Sequence, residues 1–174
     1  RAFSVGADLK NPPAEMWQGV PGVGVEVDKP VVAAVKGFCV GGAYVIVQNC
    51  DLVVAADSTV FIYPEAQVGF TGGLIAGAAA RVPHKIAMEF MLLGQRLGAE
   101  RAYEVGMVNK LTPVGLEIEG AMEYARILAE SAPLVVRTLK RFVNATVVPK
   151  SPSELSAIYR RDLLAVRNSA DGAE

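Results

Sequence analysis

Two stretches of the 174-residue sequence hold groups that could do chemistry. The first is the pair Gly41–Gly42, inside Lys29–Asp51 (KPVVAAVKGFCVGGAYVIVQNCD). Pro30–Val35 is apolar and rich in β-branched residues and reads as a buried strand. Ala43–Val47 is apolar all round and suits a helix buried on every side. A strand, a glycine turn and an interior helix aim unpaired N–H groups from the helix start at whatever lies beyond the strand, and such a start attracts negative charge. This predicts half of an oxyanion hole, although a glycine pair alone is more often a plain tight turn. The second stretch is Tyr63–Phe70 (YPEAQVGF), which carries Glu65. Its neighbours Tyr63, Pro64, Val68 and Phe70 would desolvate a carboxylate and favour its protonated form. That suits a general acid/base near neutral pH. A lone loop glutamate is otherwise simply solvated.

The remaining reactive side chains are poorly placed. Cys39 and Cys50 lie in apolar surroundings without ligand spacing and read as buried thiols of a reducing compartment. His84, the single histidine, precedes a helix and reads as a surface or capping residue. No Ser–His–Asp triad can be assembled around it, and a metal site would need more His and Cys than the chain has. Asp51 is explained by turn chemistry between a helix and a strand.

The elements that must position these groups follow in order. Ala2–Val5 is a strand end, Gly6 permits a tight turn, and Asp8 can cap a helix or turn near Leu9. Asn11–Asp28 holds three prolines and three glycines and reads as a loop with apolar faces, Met16 and Trp17 among them, to dock. Its glycines do not match GxGxxG and no strand precedes them, which excludes a dinucleotide fold. Leu52–Ala56 and Thr59–Ile62 are strands separated by Asp57–Ser58, and Tyr63–Phe70 follows as a loop. Gly72–Ala80 is a small-residue helix, Lys85–Leu93 an amphipathic helix ended by Gly94, and Ala99–Val105 a helix ended by Gly106. Met107–Leu111 is a last strand.

From Glu117 the pattern is helical. Ile118, Met122, Ala125 and Ile127–Leu128 mark one face of a first helix. Leu134–Val143 forms a second, with Arg137, Lys140 and Arg141 on its outer side as a solvated face. Ser153–Val166 is a third, capped by Ser151 or Ser153 with Glu154 in its first turn. Strands crossed by helices, then a helical tail, predict an α/β core over residues 1–112 and a helical C-terminal subdomain over 113–174.

Composition narrows the class. Net charge of −1 and a pI near 5.9 leave no basic field for nucleic acid. The apolar runs fall well short of the roughly 20 residues that span a bilayer, and no Lys/Arg-led signal segment opens the chain. The expectation is a cytoplasmic globular protein without nucleic-acid or membrane partners. The chain opens RAFSVGADLK without Met and stops at ADGAE after a helix, so the protein is expected to extend beyond both ends.

Four motifs carry a resemblance: AFSVGADLK, KPVVAAVKGFCVGGAYVIVQNCDLVVAAD, FIYPEAQVGF and LLGQRLGAERAYEVGMVNKLTP, in that order. Together they resemble the crotonase superfamily, the enoyl-CoA hydratase/isomerase family, over nearly the whole chain. The resemblance implies a spiral of ββα units, followed by helices that mediate a homotrimer or a dimer of trimers. It implies an acyl-CoA thioester as substrate, coenzyme A being part of it, with no separate cofactor. The thioester enolate would be held by the N–H groups of Val5 and Gly42, and Glu65 would be the acid/base. Ser4, Gly6, Ala7, Asp8, Gly41, Val45 and Phe70 would line the substrate site, Asp8 also reading as a cap. Val45 stands where the family's hydratases place a first glutamate, and FTGGLIAG replaces their Pro- and Gly-rich run after the second. One carboxylate fits a proton shuttle between C2 and C4 of a 3-enoyl-CoA better than hydration. A silent acyl-CoA-binding or structural relative and an RNA-binding relative are the alternatives, the near-neutral charge opposing the latter.

Overall fold

In the computed structural model the chain alternates between two sheets. The structure describes residues 1–8, 10–11 and 15–169, so the element expected near Leu9 begins outside them. Strands β1 (Ala2–Ser4), β3 (Phe38–Val40), β5 (Val60–Ile62) and β6 (Leu97–Gly98) form one sheet in that order. Strands β2 (Val32–Val35), β4 (Leu52–Ala56) and β7 (Lys110–Thr112) form the other, all parallel, with Val32 opposite Leu52 and Val54 opposite Lys110. The short turns after β2 and β4 therefore pass the chain from one sheet to the other, and β4 and β5 are not a hairpin. In the first sheet only β5 and β6 run antiparallel.

Helix α1 (Gly42–Gln48) follows β3 and packs against it and the 3-10 helix Leu74–Ala80. Ala43, Tyr44, Val45, Val47 and Gln48 are buried, while Ile46 is exposed, so the helix is not dry on every side as expected. The Tyr44 ring meets Phe61 and Phe90 edge-on at 5.9 and 4.8 Å, geometry that adds to the area these rings bury. Strands β3 and β6 were not expected: each is only two or three residues long, too short to show a period. The stretch expected to be a loop after β5 contains a one-turn helix, α2 (Glu65–Val68), ended by Gly69 at φ +71°. Leu74–Ala80 is a 3-10 helix. α3 (His84–Leu93) and α4 (Ala99–Glu104) follow as expected, and the last strand is displaced from 107–111 to Lys110–Thr112.

The tail forms α5 (Glu117–Glu130), α6 (Pro133–Phe142), a π-helical turn (Val143–Val147) and α7 (Pro152–Arg167). Neither α5 nor α6 buries its apolar stripe. On α5 the buried residues are Glu117, Gly120 and Ala121, because Gly120 lets the helix approach Val54 and Thr112 closely; Ile118, Met122 and Ile127 point outward. On α6 Lys140 turns inward, its Nζ reaching Asp51 Oδ2 at 2.8 Å and the Lys29 carbonyl at 2.7 Å, whereas Arg137, paired with Asp28, and Arg141 are exposed as expected. Leu134, Val135, Leu139 and Phe142 are left exposed. Ser151, not Ser153, caps α7: its Oγ accepts from Glu154 N–H at 3.3 Å, and Glu154 Oε2 accepts from Ser151 N–H at 2.7 Å. The other oxygen of this fully buried carboxylate meets Arg81 at 2.8 Å.

Candidate active site

Three chain segments converge at the start of α1. The first is the end of β1. Gly6 sits at φ +86°, and a Cβ added there would lie 2.9 Å from the Val40 carbonyl and 3.5 Å from Gly42 N. The turn through Val5 and Gly6 therefore abuts the backbone of Gly42. Val5 is no core residue: its side chain is 70% exposed.

The second segment is the glycine pair. Gly41, at φ +59° and ψ −124°, occupies backbone space that residues with a Cβ avoid. Its N–H is already committed to the Ile62 carbonyl at 2.8 Å. Nothing lies within 4 Å of where a Gly42 Cβ would be, so the backbone there faces open space. As the first residue of α1, Gly42 also has one of the N–H groups left without an intrahelical acceptor.

Glu65 is the third. The chain leaves β5, passes Tyr63–Pro64 and starts α2 at Glu65 itself, so the carboxylate swings back over Gly41. A Cβ on Gly41 would lie 2.6 Å from Glu65 Oε1. Glu65 Oε2 is buried and has no hydrogen-bond partner among the described residues. Loss of hydration raises the Glu65 pKa to about 7, only partly countered by a hydrogen bond from its own backbone N–H.

These segments enclose a cavity of about 330 Å³. Ser4, Val5, Gly6, Ala7, Gly41, Gly42, Val45, Glu65 and Phe70 all line it. Asp8 does not; its carboxylate accepts from Lys10 N–H at 2.9 Å and holds the following turn. Met16, Val20, Tyr63 and Leu74 also line the wall. Of these, Met16 and Val20 come from the Pro- and Gly-rich loop, where the only sequence signal was the apolar residues it offered for docking. The Tyr63 hydroxyl is 3.2 Å from Thr71 Oγ1 and fixes the segment leading into the 3-10 helix.

The other reactive groups lie elsewhere. His84 is exposed at the start of α3. Burial pushes the Cys39 thiol up to about 12 and the Cys50 thiol up to about 11, so neither is poised as a thiolate. Among the described residues no group of three or more His, Cys, Asp or Glu side chains could hold a metal ion. No helix among them is long and apolar enough to cross a membrane. What remains is one carboxylate of raised pKa and a stretch of open backbone, facing each other across an apolar pocket.

The enoyl-CoA hydratase/isomerase family profile matches residues 1–165. The chain belongs to this family. A carnitinyl-CoA dehydratase of Escherichia coli O157:H7 is 34% identical over 171 residues, 91% of this chain and 64% of the relative. A carnitinyl-CoA dehydratase of Citrobacter koseri is 36% identical over 124 residues, 70% of this chain and 47% of the relative. The chain thus spans less than two thirds of these curated relatives. Among solved structures, an enoyl-CoA hydratase/isomerase from Mycobacterium paratuberculosis superposes with a TM-score of 0.75 at 30% identity, covering 100% of this chain and 73% of the other. A carnitinyl-CoA dehydratase from Mycobacterium avium 104 gives 0.67 at 30% identity, over 86% and 60%. The two-sheet spiral is therefore the crotonase-like fold of the family.

Proposed function

We propose that the chain carries the catalytic site of an acyl-CoA-processing enzyme that works through a thioester enolate, with Glu65 as its acid/base. The observation that carries this is the Glu65 carboxyl: Oε2 is sequestered without a partner among the described residues, and Oε1 lies over Gly41 in the same cavity as the Val5 and Gly42 backbone. Backbone N–H groups at those two positions would hold the thioester oxygen as it gains charge. Such a donor contributes roughly 3–4 kcal/mol when measured by removal.

The reaction favoured is double-bond migration in a 3-enoyl-CoA. Glu65 takes a proton from C2, and the electron pair is delocalised onto the thioester oxygen. The same proton returns at C4 and the double bond becomes C2=C3, so nothing enters or leaves. A pKa of about 7 lets one carboxyl both take and return the proton near neutral pH. Val45 lines the cavity where a second carboxylate would be needed to hold a water with Glu65. Dehydration of a 3-hydroxyacyl-CoA is the second reading, favoured by the dehydratase names of the curated relatives.

The outward apolar residues of α5 and α6 support assembly of copies through the tail, as a trimer or a dimer of trimers. Leu134 is 74% exposed and Ile118 65%, and Met122, Leu139 and Phe142 are exposed as well. Patches of this kind mark interaction surfaces.

Turnover in deuterated water separates the readings. Full-length protein given 3-enoyl-CoA should yield 2-enoyl-CoA, with less than one deuterium incorporated at C4. Formation of 3-hydroxyacyl-CoA from 2-enoyl-CoA, or its dehydration, at a comparable rate would favour the second reading. No product from either substrate would leave a silent acyl-CoA-binding protein.

A further inference from the structure

Glu65 stands on very little structure. Helix α2 is a single turn, none of its residues is fully buried, and no side chain caps it. A lone turn has no stability of its own, because its few hydrogen bonds do not offset the dihedrals they fix. Its backbone bonds stay close to home. Gln67 and Val68 N–H donate to the Pro64 carbonyl at 2.8 and 3.2 Å, and Phe70 N–H donates to the Glu65 carbonyl at 3.1 Å. None of these fixes where the turn lies against the rest of the chain.

One side chain does. Gln67 Nε2 donates to the Leu93 carbonyl at 2.8 Å. Of the hydrogen bonds that residues 64–70 make among the described residues, it is the one that leaves this stretch. Leu93 ends α3, where carbonyls lack intrahelical donors, so the Gln67 amide supplies a bond that the helix itself cannot. Gly94 makes room for it. At φ +61°, a Cβ there would lie 3.0 Å from Gln67 Nε2 and 3.2 Å from the Tyr63 carbonyl. α3 also meets the chain just ahead of the turn, the Phe90 and Tyr63 rings lying 6.4 Å apart.

Charge does not explain the state of Glu65. Among the described residues its cavity is lined by no other charged side chain, and Tyr63 is the one further titratable group there. On α3, His84, Lys85 and Glu89 are all exposed. Whether the carboxyl stays dry therefore depends on where α2 holds it.

We propose that Gln67 is a positioning residue for the reaction: by tying α2 to the end of α3 it keeps the Glu65 carboxyl over Gly41 and out of water. This rests on the acid/base reading of Glu65. Gln67 itself does not line the cavity, so it acts only through Glu65.

Gln67→Met keeps the length of the side chain and removes the donor. In full-length protein it should lower kcat on 3-enoyl-CoA about two- to tenfold, the worth of one neutral hydrogen bond, and leave KM within about twofold. Followed by carbon-13, the Glu65 carboxyl of this variant should titrate below the parent's value of about 7, because a released turn admits water to it. Glu89→Gln, which removes an exposed charge from α3, should change neither quantity. Parent kcat in Gln67→Met would overturn the proposal. So would a Glu65 midpoint that stays where the parent has it, even with a lowered melting temperature, since Gln67 would then serve stability alone. A parent midpoint at the ordinary carboxylate value would overturn it together with the acid/base reading.

Discussion

The core around α1 and the tail around α6 use the same kinds of residue in opposite ways. In the core, apolar side chains such as Val45, Tyr63 and Leu74 turn inward, line the cavity of Glu65 and dry out its carboxylate. In the tail, α6 turns Lys140 toward the body of its own chain and presents Leu134, Leu139 and Phe142 outward. The difference teaches that an amphipathic pattern identifies a face to be covered but not what covers it. In the core the cover is the same chain. In the tail it is a surface that the proposed assembly would supply.

The largest effect expected is on the core side. Glu65→Gln keeps the shape and removes the proton carrier, so turnover should fall by about 10²–10⁴-fold while acyl-CoA binding persists. Steady-state kinetics and equilibrium binding on one preparation check this; turnover within a few-fold of the parent would break the contrast between a catalytic core and a structural tail. Next is Gly41→Ala. Its methyl would need backbone at φ +59° and would fall 2.6 Å from Glu65 Oε1. Strain of about 1–3 kcal/mol, together with a displaced carboxylate, should lower both the denaturation midpoint and kcat. A variant affected in neither would show that the glycine is only a turn.

The tail should respond differently. Leu139→Lys changes an outward residue, so circular dichroism should remain native and the stability of the isolated chain should shift by less than about 0.5 kcal/mol. Light scattering should show a smaller assembly. If the helices instead unfolded with the assembly unchanged, the outward assignment of this face would be wrong. The smallest effect is on pH dependence. Because the folded pKa of Glu65 is raised to about 7 from 4.5, the folded chain keeps a proton that the unfolded chain has released. Its contribution to stability is therefore lost as pH rises through that interval. Glu65→Gln should match the parent in melting temperature near the low end and exceed it slightly above neutrality; a difference that shrank with rising pH would have the wrong sign.

How much of this was legible in the sequence depended on what decides each feature. β4 and the glycine stops at Gly94 and Gly106 are local matters of propensity and backbone conformation, and they were readable. So was the convergence of Val5, Gly42 and Glu65 on one cavity: the glycine pair and Glu65 stood out by their surroundings, Val5 only through the family motifs. β3 and β6 were hidden by their brevity, and α2 because one turn has no period. Which face α5 buries, and the inward turn of Lys140 on α6, were not legible for a physical reason. Small residues, Gly120 and Ala121, buy close approach for α5, and an ion pair with Asp51 anchors α6. Neither depends on the apolar stripe.

The central claim is that Glu65 is a desolvated carboxyl able to exchange its proton near neutral pH. Its most direct test is a carbon-13 titration of the glutamate side-chain carboxyls in full-length protein, with Glu65→Gln used to assign the resonance. A Glu65 signal that titrates near 7 is predicted. One that titrates at the ordinary value of about 4.3 would contradict the account.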